Sequence, residues 1–362
     1  MAARVLALVT ALQALAIVAP ALSWPLWMVH FAALEGCILG AVLALIAILT
    51  TEERWVTATA TTAGLVCLLP ALYIIPPYIR EGQSFSVWNW LTGGSVPTVQ
   101  VERDVALGAT VTADVWRGRG EGPRPAVVVV HGGSWRSGDK GELPHLSAVL
   151  ADAGYTVVDV RYRLAGDAPF PAAIEDVRCA LATLAAEPTR FGVDPSRLAL
   201  LGRSAGGQIV LVAAYADASI ASSCGGVVPP LRAVISVYGV TDVAWAHDHP
   251  YTPDVVDGVA ATEVYLSGTP AAAAERYRVA TPQTWVRADV PETLLLHGTG
   301  EGCVRPENTT FLNDKLVEAG ARVKTVLVPW ADHGFDVRRG GFGEQLSRGV
   351  ILRFLARVMA GS

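Results

Sequence analysis

One hexapeptide limits the architecture of this chain more than any other feature. It is Gly202-Arg203-Ser204-Ala205-Gly206-Gly207, set between the apolar run Leu198–Leu201 and the helical stretch Ala205–Tyr215. A serine on so short a passage from buried strand to helix needs a sharp, strained turn that leaves its Oγ exposed above a sheet. Gly202 and Gly206 fit because neighbouring backbone must pass close to them there. The helix amino terminus behind Ser204 offers unpaired N–H groups and positive partial charge to an oxyanion forming beside the serine. The letters Gly-x-Ser-x-Gly recur by chance, so the strand–turn–helix context carries the weight.

The surrounding sequence predicts a sheet that can hold such a turn. Thr98–Val105 and Ala109–Trp116 alternate as strands and suggest an antiparallel pair at a sheet edge. Ala126–Val130 is a continuous β-branched run, as expected of a strand buried on both faces. A helix near Glu142–Ala153, a strand at Thr156–Tyr162 and an amphipathic helix from Pro171 to Ala186 follow. Further strands are predicted at Ala233–Tyr238, Thr293–His297 and Val323–Pro329, with helices from Pro306 and from Gly343 to the carboxyl terminus. Alternation of this kind implies an α/β fold with a mostly parallel sheet covered on both faces.

Three further segments complete a candidate site. His131-Gly132-Gly133-Ser134-Trp135 directly follows the valine-rich strand, and paired glycines there let backbone N–H groups point into a cleft. With the Ala205 N–H they would form an oxyanion hole, while His131 braces the loop. A general base must then reach Ser204. His247 and His249 lie in a polar loop without a companion metal-ligand cluster, so a solvated loop is preferred to a metal site. His297 ends a strand. His333, in Trp330-Ala331-Asp332-His333-Gly334-Phe335, follows the last predicted strand, where a loop can swing its imidazole over Ser204. Glu301, in the loop after His297-Gly298-Thr299-Gly300, is the candidate acid that orients the imidazole. Asp332, next to His333 in sequence, is badly placed for that part. The resulting chain order is Ser204, Glu301, His333.

Composition sets the first eighty residues apart. Apolar residues make up 52% of the chain and charged residues 17%, and the apolar excess lies at the amino terminus. The runs Val5–Leu22, Trp27–Leu49 and Trp55–Ile75 hold one charge between them, Glu35, and each approaches the ~20 residues that cross a bilayer as a helix. The expectation is about three transmembrane helices over residues 1–80, a linker over 81–96 and a globular domain over 97–362. A signal peptide ending at Ala21-Leu22-Ser23 is the alternative for the first run. Snorkelling or protonation accounts for Glu35 in this reading. With Arg4 and Arg54 on one side and Arg80 on the other, the positive-inside rule faces the globular domain out of the cytoplasm, across the plasma membrane. A net charge of −5 without a dense basic cluster argues against nucleic acid as a partner. Five cysteines at unpatterned spacings do not make a disulfide framework, with a single Cys224–Cys303 bridge left open.

Taken together, HGGSW at 131–135, YRL at 162–164, FPAAIEDV at 170–177, FGVDPSRLALLGRSAGG at 191–207, HGTGE at 297–301 and DHGF at 332–335 resemble a known group. They are similar to α/β-hydrolases of the hormone-sensitive-lipase-like and feruloyl-esterase-like carboxylesterases, from about Val96 to the end. The resemblance implies hydrolysis of carboxylic esters through an acyl-serine, with no metal or organic cofactor. It makes Ser204 the nucleophile, His333 the base, and Gly132, Gly133 and Ala205 the oxyanion hole. The group usually carries aspartate where Glu301 stands, and Ser134 replaces a third glycine. The segment between Ser204 and Glu301, where lids are usually inserted, is short. The amino-terminal runs are foreign to the pattern. The expected function is thus a membrane-anchored serine esterase or lipase acting on small-molecule or lipid esters. A serine peptidase, an acyltransferase or a non-catalytic scaffold of the same fold are the alternatives.

Overall fold

The computed structural model describes residues 1–19 and 21–360, so residue 20 of the first apolar run and the last two residues lie outside it. The amino-terminal part forms helices α1 (Ala2–Val18), α2 (Trp24–Glu35), α3 (Cys37–Leu49), α4 (Arg54–Arg80) and the short α5 (Val87–Thr92). The globular part follows as β1 (Val101–Ala106), β2 (Thr112–Trp116), β3 (Arg124–Val130), α6 (Pro144–Asp152), β4 (Thr156–Arg161), α7 (Ala172–Ala186), α8 (Pro188–Phe191), β5 (Val193–Arg203) and α9 (Ala205–Tyr215). It continues with β6 (Ala233–Val237), α10 (Val243–Asp248), α11 (Gly258–Leu266), α12 (Ala274–Ala280), β7 (Glu292–Gly298), α13 (Glu307–Glu318), β8 (Val323–Val328) and α14 (Phe342–Val358).

The strands form one sheet in the order β1-β2-β4-β3-β5-β6-β7-β8. β2 runs antiparallel to both neighbours, and all pairs from β4 to β8 are parallel. Burial on both faces follows from the side-chain alternation of a strand. On β3, Val128 and Val130 enter the core built with α7 and α9, while Val127 and Val129 enter the opposite core with α6 and α14. On β5, Leu198 and Leu200 take the first side, and Ala199 and Leu201 the second. Each such valine or leucine, wholly removed from water, contributes ~1.5–3 kcal/mol. The register sets Val130 beside Gly202 and Arg203 beside Val237, which brings the loops after β3, β5 and β6 to one edge.

The amino-terminal helices correct the expectation of about three spans. Among the described residues, α4 alone is long and apolar enough to cross a bilayer, and α2 with α3 would make a second crossing only if that bent pair counts as one span. α1 is shorter, at 17 residues. The second apolar run is broken by a 68° bend between α2 and α3. At that bend Glu35 is bound to the globular domain, which hydropathy cannot show. Its carboxylate pairs with Arg338 at 3.1 Å and accepts the Phe342 N–H, and its carbonyl accepts the Trp90 indole N–H at 3.0 Å.

The Tyr78 hydroxyl donates to the Phe342 carbonyl at 2.7 Å, and Phe85 stacks on Phe342 with ring centres 4.9 Å apart. The helical unit thus shares the core beneath α14. Its other surface is apolar and open. Leu8, Leu12, Leu15, Leu39, Leu45, Leu65 and Leu72 are exposed, as are Trp88 and Leu91 of α5. Past Val96, among the described residues, the exposed large apolar side chains are Val227, Val264, Phe311, Val317 and Val337. The cysteine expectation also needs correcting: the disulfide joins Cys179 to Cys224, and Cys303 is free. Cys179 sits on α7, against which the loop carrying Cys224 folds, a proximity that sequence spacing cannot show.

Candidate active site

Ser204 stands between β5 and α9 at φ 54°, ψ −122°, a conformation outside the common regions for an L-residue. Two glycines make the turn possible. A Cβ on Gly202 would lie 2.1 Å from the Gly206 carbonyl oxygen, and one on Gly206 2.3 Å from that of Val130. The turn is pinned from the next strand, because the Ser204 N–H donates to the Val237 carbonyl at 2.9 Å.

His333 reaches the serine from the loop after β8. Its Nε2 lies 2.9 Å from Ser204 Oγ. Its Nδ1 lies 2.9 and 3.1 Å from the two carboxylate oxygens of Glu301, in the loop after β7. A carboxylate only accepts, so Nδ1 carries the proton and the neutral ring presents a lone pair to the serine hydroxyl. Glu301 is itself held, with Oε2 accepting the N–H groups of Val304 at 3.0 Å and Cys303 at 3.3 Å. His297 stands behind it, hydrogen-bonded to Thr309 and to the Val304 carbonyl.

The charges act as one unit. Burial works to raise the Glu301 carboxyl, but the facing His333 charge and hydrogen bond, with His297 and the Val304 amide, hold it below the ordinary glutamate value. Burial works to lower His333, but Glu301, then Asp332 and Asp336, lift it above the ordinary 6.5. Each partner favours the charged form of the other.

Of the predicted residues, Ser204, Glu301 and His333 are brought together. The glycine pair after β3 needs a correction. The Gly132 N–H is engaged by the Glu142 carboxylate at 3.2 Å, so that amide is spoken for. Gly132 has a steric part instead, since a Cβ there would come within 3.2 Å of both Ser204 Cβ and the Arg203 carbonyl. The N–H groups of Gly133 and Ala205 make no hydrogen bond to any described residue. Gly133 sits at φ +106°, and a Cβ on it would strike the Ser137 carbonyl at 2.1 Å. His131 braces the loop as expected, with Nδ1 2.8 Å from the Gly132 carbonyl and its ring stacked on Tyr162.

Sequence reasoning missed the supports. Arg203, the residue before Ser204, is buried and pairs with Glu142 at 2.6 Å and Asp336 at 3.4 Å. Asp336 also accepts from the Tyr238 hydroxyl, and the Tyr238 ring lies 4.4 Å from that of His333. No local pattern marks these residues, because each partner comes from a different strand end. The walls were missed too. The segment between β6 and β7 contains α10, α11 and α12, and its side chains line a solvent-open cleft above Ser204. Trp135, Trp245, Tyr251, Val259 and Val304 give that cleft an apolar wall, with Asp254 and Arg305 among its polar groups. His247 belongs to α10, where it contacts Asp248 and Glu263.

The model of the BD-FAE family matches residues 115–316. Among curated proteins, the "Probable carboxylic ester hydrolase LipM" of Mycobacterium tuberculosis is 26% identical over 287 residues, 74% of this chain and 65% of that protein. The esterase LipC of the same organism is 30% identical over 63% of this chain and 57% of its own length. The match thus covers less than two thirds of either relative. Carboxylesterase NlhH of M. tuberculosis is 42% identical over 30% of this chain and 32% of its own. Among solved structures, esterase B of Lactobacillus rhamnosis superposes with a TM-score of 0.63 at 19% identity, covering 88% of this chain and 96% of that one. That likeness establishes an α/β-hydrolase-like fold.

Proposed function

This chain belongs to the BD-FAE family, and on that footing we propose that it is a membrane-anchored serine esterase that cleaves carboxylic esters through an acyl-serine intermediate. One observation carries the reading, the unbroken hydrogen-bonded line from Ser204 Oγ through His333 to Glu301 at the floor of a partly apolar cleft. In the proposed reaction His333 Nε2 takes the serine proton as Oγ attacks the ester carbonyl. Negative charge moves to the carbonyl oxygen and is met by the Gly133 and Ala205 N–H groups. The imidazolium, stabilised by Glu301, then protonates the departing alcohol, and water attacks the acyl-serine by the same route in reverse.

The anchoring half of the proposal rests on the apolar skin of α1, α3 and α4 and on the length of α4. Arg4 and Glu53 meet at the end of this unit far from the globular domain. The positive-inside rule puts that end in the cytoplasm and the cleft on the outer side of the plasma membrane. A disulfide between Cys179 and Cys224 suits that oxidising side.

The test is turnover of p-nitrophenyl butyrate and of a peptide p-nitroanilide by the full chain, beside Ser204→Ala and fluorophosphonate labelling. Ester cleavage that disappears with Ser204 is expected. Faster amide cleavage would assign a peptidase instead, and a folded protein that the probe does not label would leave a scaffold.

A further inference from the structure

Asp332 is buried beside the site but does not line the cleft, and its two oxygens serve different neighbours. Oδ1 accepts the Gly302 N–H at 2.8 Å and the His333 N–H at 2.6 Å. One atom therefore ties the loop carrying the acid to the loop carrying the base. Oδ2 faces the helical unit, 3.7 Å from Nε2 of His30 on α2. That spacing is too long for a hydrogen bond and makes an ion pair only with a protonated ring. His30 is itself fixed, because its Nδ1 donates to the Ala16 carbonyl of α1 at 2.8 Å. Trp27, one turn earlier on α2, lies against Gly302, whose added Cβ would come within 3.5 Å of the indole ring. The helices beyond the family-matched segment thus touch both catalytic loops at their joint.

We propose that Asp332 and His30 are positioning residues for the esterase reaction, through which the amino-terminal helices hold the base in register with the acid. The inference rests on the esterase reading above. A general base works only within hydrogen-bond reach of its proton. Misplacement by about 1 Å costs ~100-fold in rate, so a clamp joining the two loops acts on turnover more than on substrate binding. Asp332 also adds negative charge beside the imidazole. The other groups around His333 are Glu301, Asp336 with its partner Arg203, the Tyr238 hydroxyl, and His297 behind Glu301. Around Asp332 they are Glu301, His30, the Cys303 thiol and the Tyr251 hydroxyl. Geometry and charge make separable predictions, because an asparagine keeps the accepting oxygen and loses the charge.

The experiment uses the full chain in detergent with p-nitrophenyl butyrate, comparing Asp332→Ala, Asp332→Asn, His30→Ala and His30→Gln. For Asp332→Ala, kcat is expected to fall by roughly 30- to 100-fold with KM within about threefold. Asp332→Asn should recover most of kcat while the acidic limb of the pH–rate profile stays shifted to lower pH. His30→Ala should lower kcat by about 5- to 10-fold, with His30→Gln closer to wild type. Should Asp332→Ala fail to fold, the displaced limb of Asp332→Asn decides. Variants within twofold of wild-type kcat with an unmoved limb would overturn the proposal, as would an Asp332→Asn as slow as Asp332→Ala with no displacement. Ser204→Ala separates the two levels of inference. If it still turns over the ester, the esterase reading has failed; if it is inactive while the Asp332 and His30 variants match wild type, only the positioning role is lost.

Discussion

Glu301→Asp tests whether the acid's reach is set by the fold or follows the imidazole. The substitution removes one methylene and draws the carboxylate back by up to ~1.5 Å, the length of a carbon–carbon bond. The present Nδ1···O distances of 2.9 and 3.1 Å would then open to roughly 4 Å, beyond the ~3.2 Å limit of an N–H···O bond. The loop cannot slide to compensate. The Thr299 N–H is bonded to the Val328 carbonyl and the Gly300 N–H to that of Ala331, while a Cβ on Gly298 would strike the Ala331 oxygen at 2.0 Å. Losing one charge-assisted hydrogen bond costs about 1.5–3 kcal/mol, or roughly 10- to 100-fold in kcat/KM. The negative charge survives nearby, so the acidic limb should move little. Glu301→Gln keeps the length and removes the charge, with a loss of up to ~10⁴-fold and a limb displaced to lower pH. Initial rates on p-nitrophenyl butyrate across the neutral range give both quantities. A Glu301→Asp variant as fast as wild type would refute the argument, because the loops would then be slack.

Other consequences are as direct. Ser204→Ala and His333→Ala should each lose at least ~10³-fold in kcat with the folded state retained, read from steady-state rates beside thermal melts. The base works when neutral, and its pKa is raised, so kcat/KM should be full at alkaline pH and fall as pH drops through a midpoint above 6.5; a midpoint below that value contradicts the Glu301 pairing. Gly202→Ala forces a Cβ into the Gly206 carbonyl and should cost ~2–4 kcal/mol, seen as a lowered Tm with activity lost. Arg338→Ala leaves the Glu35 carboxylate without its partner, and because Arg338 is a third exposed the loss should be only ~1–2 kcal/mol, read from melts in detergent and from faster proteolysis between α4 and β1.

The sheet could be read in advance because its strands obey local rules. Val127–Val130 are buried whichever way they point, so an unbroken apolar run was a sufficient signal, and α9 follows directly from the Ser204 turn. The start of β5 at Val193 was missed because Val193-Asp194-Pro195-Ser196 has turn chemistry, which pairing with β3 overrides. Ser204, Glu301 and His333, which the structure brings together, were legible because each lies just past a strand's carboxyl end. Their supports were not, since Arg203, Glu142 and Asp336 acquire meaning only once three strand ends converge. The break after Glu35 was hidden for the same reason: its partner Arg338 is some three hundred residues away in the chain.

The seating of α4 and α5 on α14 has a practical corollary. Severing the polypeptide near Val96 would uncover Phe342 and the aromatic rings stacked against it, and would leave Arg338 without a counter-charge. It would also withdraw His30 from the joint between the acid and base loops. Recombinant preparations of the globular part alone should therefore be sticky, and solubilising the intact polypeptide is the better route to the native fold.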